Sequence, residues 1–401
     1  MNENINNMME WLINNNSKTS NIYFKNNSGN RSVYSSKKIN KNSKVISIPL
    51  KCLIHEGLVE NTKIGMDFLR ANHSGCSNIK LTLIVIYMLV TMKEKGFYKP
   101  YYNILPNKLD NFPIFWQTTT LKILKGSHIL NDIIDRKKNY INDYNIVCRI
   151  SELFKKSFTF HDFVTIRTLV GSRNFGINVN SIDRSAMVPL ADMLNHDIPP
   201  NVTWNFNNIT NCFEMISNKT INKDEEITDS YGNKCNSKLL LFYGFILDNN
   251  KDNNIKIEIK NNSLSYSGLL KKDISDFNFK TLISFLRSIV CKKNNLTFTN
   301  YEDPINLDIE LQVLNILKNH MHEKLKLYLD ENQLSKKLKQ TKKTNERIAI
   351  KFILGEIDII NFYIKMTNTS INFLKNNIYP DTDEYNHYIN QLNFQTGGQT
   401  L

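Results

Sequence analysis

No two of the six cysteines (Cys52, Cys76, Cys148, Cys212, Cys235, Cys291) stand within a few positions of each other, which excludes the short paired spacings that build zinc sites and small disulfide frameworks. Histidines are equally scattered. Only His320 and His322 are close, while His55, His73, His128 and His161 are isolated, so a metal hydrolase would have to gather ligands from distant segments. The most apolar run, Ile79 to Met92, falls short of the roughly 18 residues a membrane span needs and reads as a buried helix. The opening MNENINNMMEWLINNN lacks a basic stretch followed by an apolar core and a small-residue cleavage site. These absences predict an intracellular protein, cytoplasmic or nuclear, with reduced thiols, no membrane segment and no bound metal. No internal repeat is visible either.

What the chain does have is length and apolar material. Its 401 residues, 41% hydrophobic and 10% aromatic, predict two or three packed units. A formal net charge of +13 favours an anionic partner. Lys, Asn and Ile are abundant everywhere, evident loops included, so nucleic acid is a secondary expectation only. The basic run Ser335 to Lys343 reads as a solvated loop or helix end, with a phosphate-binding patch as the alternative.

Short strands are predicted at 22–24, 32–34 and 45–48, where β-branched and aromatic residues sit between Asn, Ser and Gly. Longer apolar periodicity takes over from about 60 to 160, including 81–92 and 129–150, with a loop from Gly96 to Pro113. Strands return near 187–189, and 202–206 with 212–216 flank an Asn-rich turn as a hairpin. Past the polar break 249–254, Ile309, Val313, Ile316, Leu317 and Met321, then Ala349, Phe352, Ile353, Ile357 and Ile360, recur at helical spacing. The predicted class is α+β: a mostly β core (1–60 and 161–250) split by a helical insertion (61–160) and followed by a helical domain (251–401).

Chemistry concentrates between Val188 and Phe245. PLADMLNHD holds Asp192, Asn195 and His196; taken alone, Asp192 and His196 would share a helix face as a metal fragment, but further ligands are missing nearby. Downstream, DEEITDSYGNKCN and LLLFYGF carry two Tyr-Gly pairs, read either as backbone approaching a ligand or as ordinary strand-end glycines. In their order and spacing, with the hairpin containing Trp204 between them, these pieces resemble the SET-domain methyltransferases. They are most similar to the branch typified by Rubisco large-subunit methyltransferase. GFYKPYYNILPNKLDNFPIFW (96–116), Gly171-Ser172-Arg173-Asn174-Phe175 and the helix at 345–360 resemble further elements of that branch, so the likeness covers nearly the whole chain. No Cys-rich cluster follows Phe245, as in that branch.

The resemblance implies S-adenosyl-L-methionine as methyl donor and methyl transfer to a protein nitrogen. It implies that Asn195 and His196 hold the adenine edge through their backbones, that Tyr243, Gly244 and Phe245 line the cofactor with Phe245 against the adenine, and that Arg173 faces the cofactor carboxylate. Asp192 would stand between cofactor and substrate, and Tyr231 would be the active-site tyrosine. Where the family usually carries Gly-x-Gly, this chain has Asn30-Arg31-Ser32 with Gly29 just before, so Gly29, Asn30 and Arg31 are the expected cofactor loop. Phe175 and Ala191 match the lysine-type members, and with Asp192 and Tyr243 they are the expected substrate contacts. Lysine is therefore the expected acceptor, histidine the alternative. A monomer that docks a protein substrate on its helical domain is implied. The competing class is a non-catalytic binding module on the same scaffold, for which the glycine-poor loop is the best support.

Overall fold

The structure, a computed structural model, describes residues 3–376 apart from 20, 28–29, 72, 94–95 and 262–263. The chain forms two compact units, Met1–Leu109 with Asp135–Asn233, and Asp110–Ile134 with Lys234–Leu401. Helix α6 (Ile129–Ile150) begins in the second and ends in the first. Among the described residues no helix is long and apolar enough to cross a membrane.

The first unit opens with α1 (Glu3–Asn14), which buries Ile5, Met8 and Leu12 at three- and four-residue steps. Small sheets follow. β1 (Ile22–Asn27) and β2 (Asn30–Ser35) form an antiparallel ribbon, Ile22 opposite Ser35. β3 (Lys44–Pro49) pairs with β9 (Cys212–Ser217), which pairs with β8 (Val202–Asn207) in the expected hairpin. β4 (Ile54–His55), β6 (Ile182–Met187) and β5 (Asn174–Val179) make a third antiparallel sheet in the order β4-β6-β5. β7 (Asn195–His196) and β10 (Thr228–Asp229) pair in parallel, with Thr228 opposite Asn195.

Between β4 and β5 the chain is helical. α2 (Lys63–Arg70) starts on Thr62, whose hydroxyl accepts from Gly65 N, and α3 (Ile79–Thr91) starts on Asn78, which accepts from Leu81 N. The apolar run of α3 is buried continuously from Thr82 to Leu89, which explains the absence of one polar face. A single turn, α4 (Lys99–Tyr102), interrupts the stretch read as loop from 96 to 113. α7 (Glu152–Ser157) leads to α8 (Phe160–Arg173), which opens with a capping box between Thr159 and Asp162 and packs on α3.

The second unit gathers the turn α5 (Thr118–Leu121) and α9 (Asn236–Tyr243) with a hairpin, β11 (Asn254–Asn261) and β12 (Leu264–Lys271). That hairpin occupies the start of the stretch the sequence reading makes helical. Its alternation is short but present, since Ile255, Ile257 and Ile259 are buried between outward-facing polar residues. The helices follow: α10 (Phe277–Lys293), α11 (Leu307–Lys326), α12 (Glu331–Gln340) and α13 (Thr344–Asn376). Leu282, Leu286, Val313, Leu317, Ile353 and Ile357 form the centre of its core. The basic run lies at the end of α12, where Leu334 is buried and Lys336, Lys337 and Lys339 face solvent.

Candidate functional site

After β6 the chain turns sharply. Leu190, fully buried, takes φ 73° and ψ −49°, a region that costs a non-glycine residue about 1 to 3 kcal/mol. A short 3-10 turn over Ala191–Met193 follows, then β7. Asp192 and His196 therefore share no helix face, and their side chains go to different partners. Asp192 Oδ2 accepts from Tyr101 Oη at 2.9 Å and from Arg173 Nη1 at 3.2 Å, and Arg173 Nη1 also donates to the Asp192 carbonyl at 2.7 Å. Asp192 Oδ1 is buried and has no hydrogen-bond partner among the described residues.

Arg31, on β2, joins this cluster. Its Nη1 donates to the Ile104 carbonyl at 3.2 Å, and burial followed by the neighbouring Arg173 charge lowers its pKa, against the pull of Asp192 and Tyr101. Burial is the largest single influence on Arg173 and works against its charge, but Asp192, Tyr101 and Tyr231 together outweigh it and hold that pKa above the ordinary value. Burial pushes the Asp192 carboxyl up against the pull of Arg173, Tyr101 and Arg31, and pushes the Tyr101 phenol well above its usual range. Two guanidinium groups thus face one carboxylate, leaving a surplus of positive charge in a site where screening by water is poor.

Tyr231 lies close enough to Arg173 to affect its electrostatics. Its hydroxyl donates to the Leu194 carbonyl at 2.7 Å, its backbone N–H donates to His196 Nδ1 at 3.0 Å, and its ring stacks on the His196 imidazole at 5.1 Å. The donated hydrogen fixes the orientation of the phenol. Asn195 is held by two acceptors, Ser32 Oγ and Glu226 Oε1, each at 2.8 Å. Among the described residues β7 and β10 form a two-stranded sheet. Asp229, one residue before Ser230 and Tyr231, is buried, and burial raises its carboxyl to about 6 despite the Ser230 N–H.

Arg31, Arg173, Asp192, Asn195, His196 and Tyr231 are therefore brought together within the first unit. Ala191 is buried in the turn beside Asp192. The Phe175 ring packs edge-on against Trp204 at 5.3 Å and Phe213 at 5.0 Å. Gly29 lies outside the described residues, and Asn30 is the first residue of β2. Tyr243, Gly244 and Phe245 belong to the second unit. There Gly244 ends α9 at φ 76° and its carbonyl accepts from Asn111 Nδ2 at 3.0 Å. A Cβ on Gly244 would come within 2.5 Å of that nitrogen, so helix termination and close approach account for this glycine. Tyr101, Ser32 and Glu226 are site neighbours the sequence reading does not assign. Tyr101 sits in the 96–116 signature, but its partner is 91 positions away, a pairing only the tertiary fold reveals.

Comparison with known proteins matches residues 30–232, about half of the chain, to the SET domain. The chain belongs to the SET-domain family. Its SET domain spans both halves of the split β core and the helices between them. Among curated relatives, actin-histidine N-methyltransferase of Homo sapiens is 23% identical over 313 residues, covering 67% of this chain and 52% of that protein. Ribosomal lysine N-methyltransferase 1 of Saccharomyces cerevisiae is 27% identical over 203 residues, 41% of this chain and 34% of that protein. The chain spans about half the length, or less, of these relatives. Among solved structures, the SET domain of LSMT bound to lysine and AdoHcy superposes with a TM-score of 0.74 at 16% identity, covering 94% of each chain. Rubisco LSMT bound to AdoMet gives 0.73 at 16% identity, over 100% of this chain and 98% of that one.

Proposed function

We propose that this SET-domain chain is a protein N-methyltransferase that uses S-adenosylmethionine and methylates a lysine side chain of a protein substrate. The observation that carries the proposal is the cationic cluster of Arg31, Arg173 and Asp192 beside a tyrosine whose hydroxyl is fixed by a backbone carbonyl. A surplus guanidinium fits the carboxylate at the methionine end of the donor, since a planar fork binds carboxylate and stays charged. When bound, the donor supplies a methyl group on a sulfonium.

The remaining work belongs to the chain. A lysine of ordinary pKa about 10.4 is neutral at pH 7 only at a cost of roughly 4.6 kcal/mol, so the site must favour the neutral amine by excluding water. Fixing the acceptor in line offsets this, because orientation contributes about 7 to 11 kcal/mol in favourable cases. Tyr231 Oη, with its hydrogen committed to Leu194, offers lone pairs to polarised C–H groups. Asn195 and His196, on β7, are assigned to the adenine edge. Helices α10 to α13 are assigned to docking the protein substrate, by a monomer.

Histidine is the second reading, favoured by similarity to actin-histidine enzymes over two thirds of this chain. Paired peptides with lysine or histidine as the only acceptor, analysed by mass spectrometry, distinguish the two; labelling of the histidine peptide alone overturns the lysine assignment. Tyr231→Phe is expected to lower the methylation rate about 100-fold or more while leaving the fold intact. Calorimetry tests the class itself. No S-adenosylmethionine binding by the wild-type chain would leave a scaffold protein without catalysis.

A further inference from the structure

Tyr101 reaches the cluster of Arg173 and Asp192 from the single turn α4, and it is fully buried. That turn is tied down on both sides. Tyr98 Oη donates to the carbonyls of Lys51 and Leu53 at 3.0 and 3.1 Å, and the hydroxyls of Tyr102 and Thr91 bond to each other at 2.7 Å. Three residues beyond Tyr101, the Ile104 carbonyl accepts from Arg31. The Tyr101 ring is therefore delivered by an anchored segment. Burial keeps its phenol protonated, so the hydroxyl donates to Asp192.

Both side-chain hydrogen bonds of Asp192 fall on one oxygen. Oδ2 takes the Tyr101 hydroxyl and Arg173 Nη1, while Oδ1 is buried with no partner among the described residues. Carboxylate and guanidinium ordinarily meet through two parallel hydrogen bonds, and a buried oxygen without a donor is costly. Both preferences would turn the Asp192 carboxyl about its Cβ–Cγ bond until each oxygen met a nitrogen of Arg173. The turn has not been made. Arg173 is engaged through Nη1 alone, by the Asp192 carbonyl and Oδ2. Its Nε and Nη2 make no hydrogen bond among the described residues, and its side chain is 22% exposed. The second donor on Oδ2 opposes the turn, because rotation would break the Tyr101 hydrogen bond.

We propose that Tyr101 is a positioning residue: by holding Asp192 Oδ2 it keeps that carboxylate from closing on Arg173 as a two-point pair, and so keeps the remaining edge of the guanidinium open to the carboxylate of a bound ligand. The inference rests on the reading of this site as that of the methyl donor, whose methionine end carries such a carboxylate. With the hydroxyl in place, Asp192 orients Arg173 through one nitrogen. Without it, Asp192 becomes a competitor for the group it orients.

The test is calorimetry on the full chain with two ligands, S-adenosylhomocysteine and its analogue lacking the carboxylate. The wild type is expected to bind the first about 10- to 100-fold more tightly, the range for hydrogen bonds to a charged group. Tyr101→Phe is expected to lose most of that preference while binding the carboxylate-free analogue as the wild type does. It should also melt within a few degrees of wild type, because Asp192 gains a second bond to Arg173 as it loses the phenol. Equal weakening of both ligands, or a variant that does not fold, would make the hydroxyl a structural hydrogen bond and overturn the inference. So would a preference as large in the variant as in the wild type. A wild type that binds both ligands alike would remove this role for Tyr101 and leave the donor reading in place, whereas binding of neither would end both.

Discussion

Each unit buries a carboxylate, and the two are surrounded differently. In the first, Asp192 faces permanent cations, with Arg173 in contact and Arg31 nearby, and a phenol donates to it. In the second, Glu356 is fully buried on α13, and its oxygens accept from two hydroxyls, Ser127 Oγ and Tyr328 Oη, each at 2.9 Å. The charged neighbours of Glu356 are weaker or farther. His128 Nδ1 lies 3.8 Å away, its own pKa lowered by burial despite Asp132 and further by Lys324, Lys256 and Lys238. Lys324 on α11 has its pKa lowered by burial against Glu356 and Glu258. Burial consequently raises Glu356 to about 7, which its hydroxyl donors and Lys324 only moderate. Burial raises both carboxyls, at Asp192 against the pull of two arginines and a phenol, at Glu356 against two hydroxyls and a lysine.

That contrast can be broken most forcefully at Asp192. Asp192→Ala leaves Arg173 and Arg31 without their anion and should destabilise the first unit by about 3 to 5 kcal/mol in urea titration. A loss below 1 kcal/mol would mean the cations are satisfied elsewhere. Next comes pH. A folded pKa raised from 4.5 to about 7 means Glu356 stabilises most below pH 4.5, and this contribution is lost as pH climbs through 7. The loss for so buried a group is about 3 kcal/mol. Denaturation at pH 5 and pH 8 should show it, and Glu356→Gln should flatten the difference; an unchanged slope in that variant would assign the titration to another group. The smallest change is Tyr328→Phe, which removes one donor to Glu356. It should lower stability by about 2 kcal/mol at pH 8 and by less at pH 5.

The same contrast explains what could be read from the sequence. Helices α3, α6, α11 and α13 and the β8–β9 hairpin announce themselves by local periodicity. Arg173, Asp192, His196 and Tyr231 lie in short motifs whose joint order carries the family signal. Tyr101, Ser32 and Glu226 do not, because each earns its place through a contact fixed by the tertiary fold. The β11–β12 hairpin is harder to read although its strands are eight residues each, because Ile255, Ile257 and Ile259 alternate within a run of Asn, Lys and Glu and β12 buries only Tyr266 and Leu270. Gly244 illustrates the reverse case, a residue inside a functional motif whose helix-ending geometry and contact with Asn111 account for it within its own unit.

The division of the chain has a consequence for its synthesis. Asp110–Ile134 leaves the ribosome before Asp135–Asn233, yet its Trp116, Ile123 and Leu124 belong to the core completed by the last helices. At ordinary translation rates that segment waits roughly 5 to 20 s for the intervening hundred residues alone, and longer for its partners. During this interval its apolar side chains are open to chaperones, and a stalled or prematurely terminated chain would display them permanently.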